Sequence, residues 1–363
     1  MKLKRIVLFT SFLLLIAVQC FSATYTCTQD GNWNTDATWG GGGHPSANDD
    51  VVTINNASYD VVYDAGDSAV TWGNVSVTAG SLSFPVNANS TMSFNATGVL
   101  AIGATGILNI GTSTSSPIGA AYHCKIYWPQ GAATRNVFTV VSGGTVNVYG
   151  DPAFYGSAPT ADLNSDWSSG QTLYVTGDYT ALWSAGQKFW IHKNSYATWS
   201  TDSAIFTIAS IGAYDAGNNR TPITITEAAP GVLYDAINAT SGWQSKLLMI
   251  SRNVELADPG AAAGVNGYSS YTERIRTSFS QNSNTFAINF NNCMWQGWDY
   301  AILGCNNIFD GVVILNNALF VTAGAGTLIV KNSVICSNST VFNSGHGSDV
   351  TNTYIVANGT KKS

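Results

Sequence analysis

The chain has 363 residues, of which 45% are hydrophobic and 12% aromatic, so it carries enough apolar surface for a large buried core. Only 10% of the residues are charged and the formal net charge is −6, which argues against a nucleic-acid-binding surface. Gly, Ser, Thr and Asn fill the polar positions, and this composition is typical of short strands and tight turns rather than long helices or disordered tails.

Residues 1–22 have the pattern of a secretory signal peptide. Three basic residues precede an apolar stretch over residues 6–18 that is too short to span a bilayer. Cleavage after Ser22 places small residues at the required positions, and cleavage after Ala23 fits nearly as well. The sequence therefore predicts a secreted or cell-surface protein with no later membrane span. Removal of Lys2, Lys4 and Arg5 with the signal changes the formal charge from −6 to −9.

Short alternating strands dominate the first half of the chain. Glycine or asparagine interrupts each run, and the predicted strands are residues 51–54, 59–63, 75–77, 82–84, 92–94, 99–102 and 107–110. No segment shows a helical period over three turns. This pattern excludes a doubly wound sheet with crossover helices and leaves a sandwich, a barrel or a solenoid.

Repeated units favour the solenoid. Residues 98–103 and 106–111 repeat one glycine-bounded pattern, as expected when short strands stack or turn corners in a coil. Asparagine-led apolar units recur later in the chain, at residues 291–295, 306–309, 316–320, 332–335 and 352–356. Because asparagine tolerates left-handed backbone geometry and can hydrogen-bond to its counterpart one coil away, we expect it to turn the corners.

Cysteine and histidine usage predicts no metal site. Five cysteines remain after signal removal, and none has the short paired spacing of a zinc site, so most are expected to be buried small hydrophobic residues. The four histidines lie at least 69 residues apart. We therefore expect no cofactor.

Residues 31–128 resemble the glycine-eight domain, a β-rich module of secreted and cell-surface proteins that include the cell-surface hyaluronidases and fibrocystin-like proteins. Trp33, Trp39 and Pro45 carry the resemblance together with residues 49–54, 61–64, 80–84 and 102–111. Residues 144–150, 183–191 and 248–254 resemble the strands that follow this module in larger relatives. The resemblance implies a right-handed parallel β-helix in a carbohydrate context.

The predicted organisation is a single elongated all-β domain. Residues 1–22 are the signal peptide, 23–150 the glycine-eight-like β-helical region, 151–257 a continuing β-helix with irregular insertions, and 258–363 asparagine-rich coils. Gln187 stands where relatives usually carry aspartate, and the histidine-containing stretch of the hyaluronidase-like members has no counterpart in residues 265–282. The resemblance therefore does not carry enzymatic activity over to this chain.

Residues with catalytic chemistry are few. A glycosidase needs two carboxyl groups roughly 5–10 Å apart, and Glu273 with Asp299 is the late pair whose spacing suits one coil. A polysaccharide lyase needs a cation and a base, which Arg274, Arg276 and Tyr271 could supply. For each of these residues, the alternative is a structural role in a turn. Arg252 could also supply a cation, but a structural hydrogen bond to a turn is the preferred interpretation.

The leading functional hypothesis is a non-catalytic extracellular β-helix that binds glycans or forms part of a surface or fibre assembly. Trp295, Trp298 and Tyr300 are the candidate sugar-stacking residues, with core filling as the alternative for each. The second hypothesis is a polysaccharide-degrading enzyme, either a lyase or a glycoside hydrolase. The predicted partners are a polysaccharide or cell-surface glycan and, through the open end of the solenoid, a second copy of the chain.

Overall fold

A computed structural model describes residues 22–128, 135–152, 160–191, 204–237, 244–257, 275–279, 287–296, 298–303, 306–321, 328–340 and 348–357. The complete helix in this part of the chain is a four-residue 3-10 helix, Asp36–Trp39. The strands form a large sheet whose pairings are parallel and a six-stranded antiparallel sheet. The prediction of an all-β protein is confirmed.

Ten strands precede the antiparallel sheet. They are β1 (Thr24–Thr26), β2 (Gly31–Asn32), β3 (Val51–Val62), β4 (Asp67–Trp72), β5 (Val75–Phe84), β6 (Ser90–Phe94), β7 (Leu100–Ile110), β8 (Cys124–Tyr127), β9 (Arg135–Val140) and β10 (Thr145–Tyr149). Apart from β2 and β3, which pair through Gly31 with Val61, strands that follow one another here do not pair. Instead, β3, β5 and β7 stack on one another in parallel, as do β4, β6 and β8.

The long strands β3, β5 and β7 each contribute to two ladders of parallel pairs. Their first halves pair through Val52, Val75 and Leu100, and their second halves pair through Leu82 and Leu108. The two glycine-bounded repeats of residues 98–111 are therefore the two arms of one bent strand, not neighbours in a ladder. We call the ladder of first halves the first ladder, that of second halves the second ladder, and that of β4, β6 and β8 the third ladder.

Six antiparallel strands form a separate unit between β10 and the next parallel strand. They are β11 (Thr160–Asp162), β12 (Thr172–Thr176), β13 (Lys188–Ile191), β14 (Ala204–Ile211), β15 (Arg220–Ile225) and β16 (Lys246–Met249). A bridge between Leu163 and Val175 joins β11 to β12, so the sheet closes into a barrel. The barrel has a separate hydrophobic core, in which Trp167, Trp183 and Phe189 are buried.

Eleven parallel strands follow the barrel. They are β17 (Val254–Ala257), β18 (Ile275–Phe279), β19 (Ala287–Asn291), β20 (Cys293–Gln296), β21 (Trp298–Leu303), β22 (Asn306–Asp310), β23 (Val313–Val321), β24 (Leu328–Lys331), β25 (Val334–Thr340), β26 (Ser348–Thr351) and β27 (Tyr354–Ala357). The first three resume the three ladders, since β17 pairs with β8, β18 with β9 and β19 with β10. The sequence pattern predicts coils throughout residues 151–257, whereas here the strands of residues 160–249 pair in antiparallel fashion and only β17 belongs to a parallel ladder.

Apolar side chains join the barrel to the ladders. Trp190, Leu248 and Ile250 are buried against Val313 and Val334, which lie on the outer face of the third ladder. Full burial of an aliphatic side chain contributes about 1.5–3 kcal/mol relative to exposure, so this contact fixes the barrel on the ladder.

Two adjacent polar residues hold the chain where it leaves the barrel. The Arg252 Nε donates to the Gly311 carbonyl oxygen at 2.8 Å, and its Nη1 donates to the carbonyl oxygens of Met249 and Ser251 at 3.1 and 2.8 Å. The Asn253 Nδ2 donates to the Ile118 carbonyl oxygen at 2.8 Å. Both side chains are buried. The prediction that Arg252 makes a structural hydrogen bond to a turn is confirmed.

Asparagine turns several late corners, as the sequence predicts. Asn292, Asn332 and Asn352 have φ angles of 50°, 50° and 46°. The Asn352 Nδ2 donates to the Asn332 Oδ1 at 2.8 Å, and the Asn332 Nδ2 donates to the Asp310 Oδ1 at 2.8 Å. Glycine replaces asparagine at one such corner, Gly311, with φ 68°. The predicted corner residues 306 and 316 instead lie within β22 and β23.

The core of the ladders is built from the inward residues of the alternating strands. At the N-terminal end it is aromatic, since the Trp33 ring lies 5.4, 5.2 and 5.1 Å from the rings of Trp39, Tyr63 and Trp72, all edge-on. Edge-on aromatic pairs add about 0.5–1.5 kcal/mol beyond area burial. Cys27, Cys124 and Cys293 are buried in the same core as free thiols, in agreement with the sequence expectation.

A substitution at Gly80, where β5 bends between the first and second ladders, tests the corner geometry. Its φ is +81°, and an added Cβ would lie 2.3 Å from the Asn56 carbonyl oxygen of the neighbouring coil. We expect Gly80→Ala to lower the free energy of unfolding by more than about 2 kcal/mol, because left-handed geometry and a backbone clash both oppose it. Gly42→Ala is the matched control, since no atom lies within 4 Å of its added Cβ. Equal denaturant midpoints for the two variants would contradict the assigned corner.

Candidate functional site

The outer face of the third ladder carries a row of polar residues, one from each successive strand. The register pairs Asp67 of β4 with Thr91 of β6, Thr91 with Lys125 of β8, and Lys125 with Glu255 of β17. Their chain neighbours Cys124, Ile126, Val254 and Leu256 point into the core, so alternation sends this row outward. We call Asp67, Thr91, Lys125 and Glu255 the polar column.

Tyr127 fixes one end of the polar column. Its hydroxyl donates to the Glu255 Oε2 at 2.8 Å, and both residues are half-buried. Burial raises the pKa of Tyr127 far above its ordinary value, and the charge and hydrogen bond of Glu255 raise it further. The phenol therefore stays protonated at neutral pH and acts as a hydrogen-bond donor to Glu255.

Asp67 is fixed at the opposite end. Its Oδ1 accepts the Thr91 hydroxyl at 2.7 Å and lies 2.8 Å from the His123 Nε2. The hydrogen bond from Thr91 lowers the pKa of Asp67 most, burial opposes it, and His123 and Lys125 lower it further. The Asp67 carboxyl is therefore ionised at neutral pH.

Lys125 lies between these two fixed carboxylates. Its ammonium forms no hydrogen bond or ion pair with any residue in the described part of the chain, although its side chain is half-buried. In the register, Lys125 lies two strands from Asp67 and directly beside Glu255. Lys125 is thus the uncommitted donor of the polar column.

The barrel ends the polar column. Beyond Glu255 the same row continues with Met294 and Val313, and these apolar residues pack beneath the barrel residues Trp190 and Leu248. The polar stretch from Asp67 to Glu255 therefore covers three strand separations, about 14 Å. It is bounded by the barrel next to Glu255, and Asp67 at its other end is exposed.

This arrangement suits binding better than acid–base catalysis. The backbone positions of Asp67 and Glu255 are about 14 Å apart, and each carboxylate faces its own donor, whereas the two carboxyl groups of a glycosidase lie about 5–10 Å apart. A catalytic tyrosine base requires a lowered pKa, whereas that of Tyr127 is raised. Among the residues that the structure describes, no three His, Cys, Asp or Glu side chains group as a metal site.

The sequence-predicted aromatic residues have different environments. The Trp295 indole is fully buried, with its ring centroid 4.7 Å from that of Phe290 and 6.1 Å from that of Phe309. The Trp295 side chain therefore lies in the hydrophobic core, as the core-filling alternative predicts. Trp298 and Tyr300 lie in β21, where the structure describes the backbone but not their side chains. Their role in sugar binding stays a prediction.

The predicted catalytic residues are only partly covered by the structure. Glu273 and Arg274 lie outside the described residues, as does Tyr271. The strand that follows them, β18, pairs with β21 through Ile275 with Trp298 and Arg276 with Tyr300, and Asp299 has no register partner at this irregularity. The assignments of Glu273, Arg274 and Asp299 stay predictions.

Sequence reasoning missed the polar column. The alternation of residues 124–127 indicated that Lys125 and Tyr127 face outward, and this signal was available. Glu255, however, lies 128 residues after Tyr127, because the barrel is inserted between their strands. A search for acidic pairs one coil apart, about 20 to 27 residues, could not find this neighbour.

Neither a protein-family model nor a curated protein sequence matches the chain. The resemblance to the glycine-eight domain therefore depends on the residues that carry it. In the described part of the chain, no helix is both long enough and apolar enough to cross a membrane.

The lowered pKa of Asp67 predicts a pH-dependent contribution to stability. A depressed carboxyl pKa stabilises the fold above the ordinary value of about 3.9, and this contribution is lost as the pH falls through the lowered pKa. Asp67→Asn should therefore lower the free energy of unfolding at pH 7, by less than about 1 kcal/mol because the side chain is half exposed.

Urea unfolding of the wild type and the variant between pH 7 and pH 2 measures this difference. Thr91→Val, which removes the main hydrogen bond, should reduce the same pH-dependent contribution. A difference between wild type and Asp67→Asn that stays constant across the series would contradict the assigned pKa shift.

Proposed function

We propose that the protein is a secreted or cell-surface right-handed parallel β-helix that binds glycans on the polar column without cleaving them. The secretion signal in residues 1–22 and the carbohydrate context of the glycine-eight resemblance support the compartment and the ligand class. The binding site depends on one observation: Lys125, in the row that joins the two fixed carboxylates, pairs with no described residue.

The ladder register supports the β-helix. Three parallel ladders recur in the same order before and after the barrel, from β8, β9 and β10 to β17, β18 and β19. A chain that visits three ladders in turn and returns to the first is a coil. Parallel strand connections are right-handed in about 98% of cases because of strand twist, which favours the right-handed form.

The residues of the resemblance have clear structural roles, which supports the assignment to a glycine-eight-like fold. Trp33 and Trp39 are buried, and the Trp39 indole nitrogen donates to the Trp33 carbonyl oxygen at 2.7 Å. Gly80 forms a corner that only glycine accommodates. Gln187, at the departure from the family pattern, still closes a turn, since its Oε1 accepts the Ser184 N–H at 2.8 Å.

The chemistry of the polar column suits sugar hydroxyls. A hydroxyl group both donates and accepts hydrogen bonds, so it can donate to a carboxylate oxygen of Asp67 or Glu255 and accept from Lys125. Asp67, Glu255 and Tyr127 are held by their neighbours, so binding orders few side chains and loses little conformational entropy. The polar column has two carboxylates and one lysine, and the whole chain has a net charge of −6. Electrostatic repulsion therefore disfavours a polyanionic ligand. The ligand class is therefore an uncharged, hydroxyl-rich glycan.

The barrel limits how a glycan can lie on this site. A chain that follows the polar column meets the barrel beside Glu255, where Met294 begins the covered part of the row. Asp67 at the other end is exposed, so the site accommodates a short glycan or the end of a longer one. An enzyme that cuts within long polymers would need a groove open at both ends.

A glycan array with the purified mature protein tests the proposal. We expect binding to neutral glycans in preference to uronic-acid polymers, and no release of reducing ends or unsaturated products. Lys125→Met should weaken binding about 10-fold or more, because a hydrogen bond from a charged group contributes about 1.5–3 kcal/mol. Lys331→Met, on the outer face of the second ladder, is the matched control and should bind like the wild type.

Three outcomes would contradict the proposal. Absence of binding to every glycan would remove the ligand class, and equal loss of affinity in both lysine variants would remove the assigned site. Product release from a bound polysaccharide would favour the alternative, a lyase or glycoside hydrolase that uses the predicted residues Glu273, Arg274 and Asp299. Self-association through the open end of the solenoid also stays a prediction, and light scattering on the mature chain measures it.

A further inference from the structure

Asp50 is a buried carboxylate at the N-terminal end of the ladders, with 1% of its surface exposed. Its Oδ2 accepts the backbone N–H groups of Ser46 and Ala47 at 3.0 and 2.9 Å, and its Oδ1 accepts the Ala23 N–H at 3.0 Å. In the described part of the chain no Lys, Arg or His forms an ion pair with it. Burial of a carboxylate without an opposite charge is unfavourable.

The first ladder holds Ala23 in this position. The Val51 N–H donates to the Ala23 carbonyl oxygen at 2.8 Å, and β1 pairs directly with residues 51–53 of β3. Ser22, the preceding residue, is exposed. The peptide bond between Ser22 and Ala23 therefore joins an exposed residue to one that the ladder fixes against Asp50.

We propose that a signal-removing peptidase hydrolyses the Ser22–Ala23 bond, and that the new α-ammonium group of Ala23 forms an ion pair with Asp50. Water supplies the atoms: the C–N bond breaks, the hydroxyl adds to the Ser22 carbonyl carbon, and the proton goes to the Ala23 nitrogen. A free α-amino group is largely protonated at pH 7, since its ordinary pKa is about 7.7–8.0. This inference depends on the secretion proposed above.

The structure distinguishes the two cleavage positions that the sequence leaves open. Cleavage after Ser22 retains the Ala23 nitrogen at 3.0 Å from the Asp50 Oδ1 and gives it a positive charge. Cleavage after Ala23 would remove this donor, and it would also remove the carbonyl oxygen that accepts the Val51 N–H. Only the first position leaves the buried carboxylate fully paired.

Processing at this bond would also stabilise the fold. In the uncleaved chain the Ala23 nitrogen is a neutral amide with one N–H. The α-ammonium group has three N–H bonds and supplies the positive charge that would pair with the Asp50 carboxylate. Charge-assisted hydrogen bonds are roughly twice as strong as neutral ones. The mature chain is therefore locked onto β3 more firmly than its precursor.

The experiment begins with the chain secreted under its own signal. Intact mass and N-terminal sequencing should identify Ala23 as the first residue. The mature chain with a free N-terminus is then compared with the same chain acetylated on the Ala23 nitrogen, which keeps one N–H but removes the charge. We expect acetylation to lower the Tm at pH 6 by about 1–4 °C, and this difference should shrink above about pH 9, where the free α-amino group loses its proton.

Asp50→Asn supplies the second comparison. It should abolish the effect of acetylation, whereas Asp49→Asn, at the adjacent exposed position, should retain it. A mature chain that begins at Thr24, or equal Tm values for free and acetylated chains, would overturn the inference while secretion still holds. A secreted product that retains residues 1–22 would overturn the signal peptide as well. If Asp50→Asn does not fold, the acetylation series alone decides.

Discussion

The fold depends on the constraint that every strand of a parallel ladder hydrogen-bonds to a strand one coil away, at a separation of about 4.8 Å. This spacing brings the corners of neighbouring coils close together, so the backbone leaves little room for side chains where strands bend. An added Cβ at Gly106 would lie 1.9 Å from the Val77 carbonyl oxygen. Glycine at early corners and left-handed asparagine at later ones are two solutions to the same constraint, and asparagine adds an amide that bonds to the next coil.

The same constraint explains how the ladders tolerate an inserted barrel. The entropic cost of closing a loop rises only slowly with its length, so a long excursion is acceptable if the chain returns in register. Arg252 and Asn253 secure that return, since one bonds to a later corner at Gly311 and the other to an earlier loop at Ile118. The pairing of Val254 with Cys124 then restarts the third ladder as though no residues intervened.

The sequence supports prediction wherever a local pattern determines the geometry. Alternation identified the strands, Asn292, Asn332 and Asn352 were expected at corners, and Arg252 was expected to bond to a turn. The barrel could not be predicted in this way, because its strands alternate just as parallel strands do and the direction of pairing leaves no local signal. The polar column was not predicted for the same reason. Lys125 and Glu255 become neighbours only through the register that resumes after the barrel.

The position of the polar column follows from this insertion. On a plain stack the outer row of the third ladder would continue unbroken, but the apolar residues after Glu255 are covered because the barrel needs a surface to pack on. The chain therefore separates the row into an apolar part that anchors the barrel and a polar part that stays accessible. Because Asp67, Tyr127 and Glu255 already satisfy one another or their neighbours, the polar part needs no ligand to be stable. Lys125 is the exception, because its ammonium forms no hydrogen bond or ion pair with any described residue although two carboxylates lie in the same row.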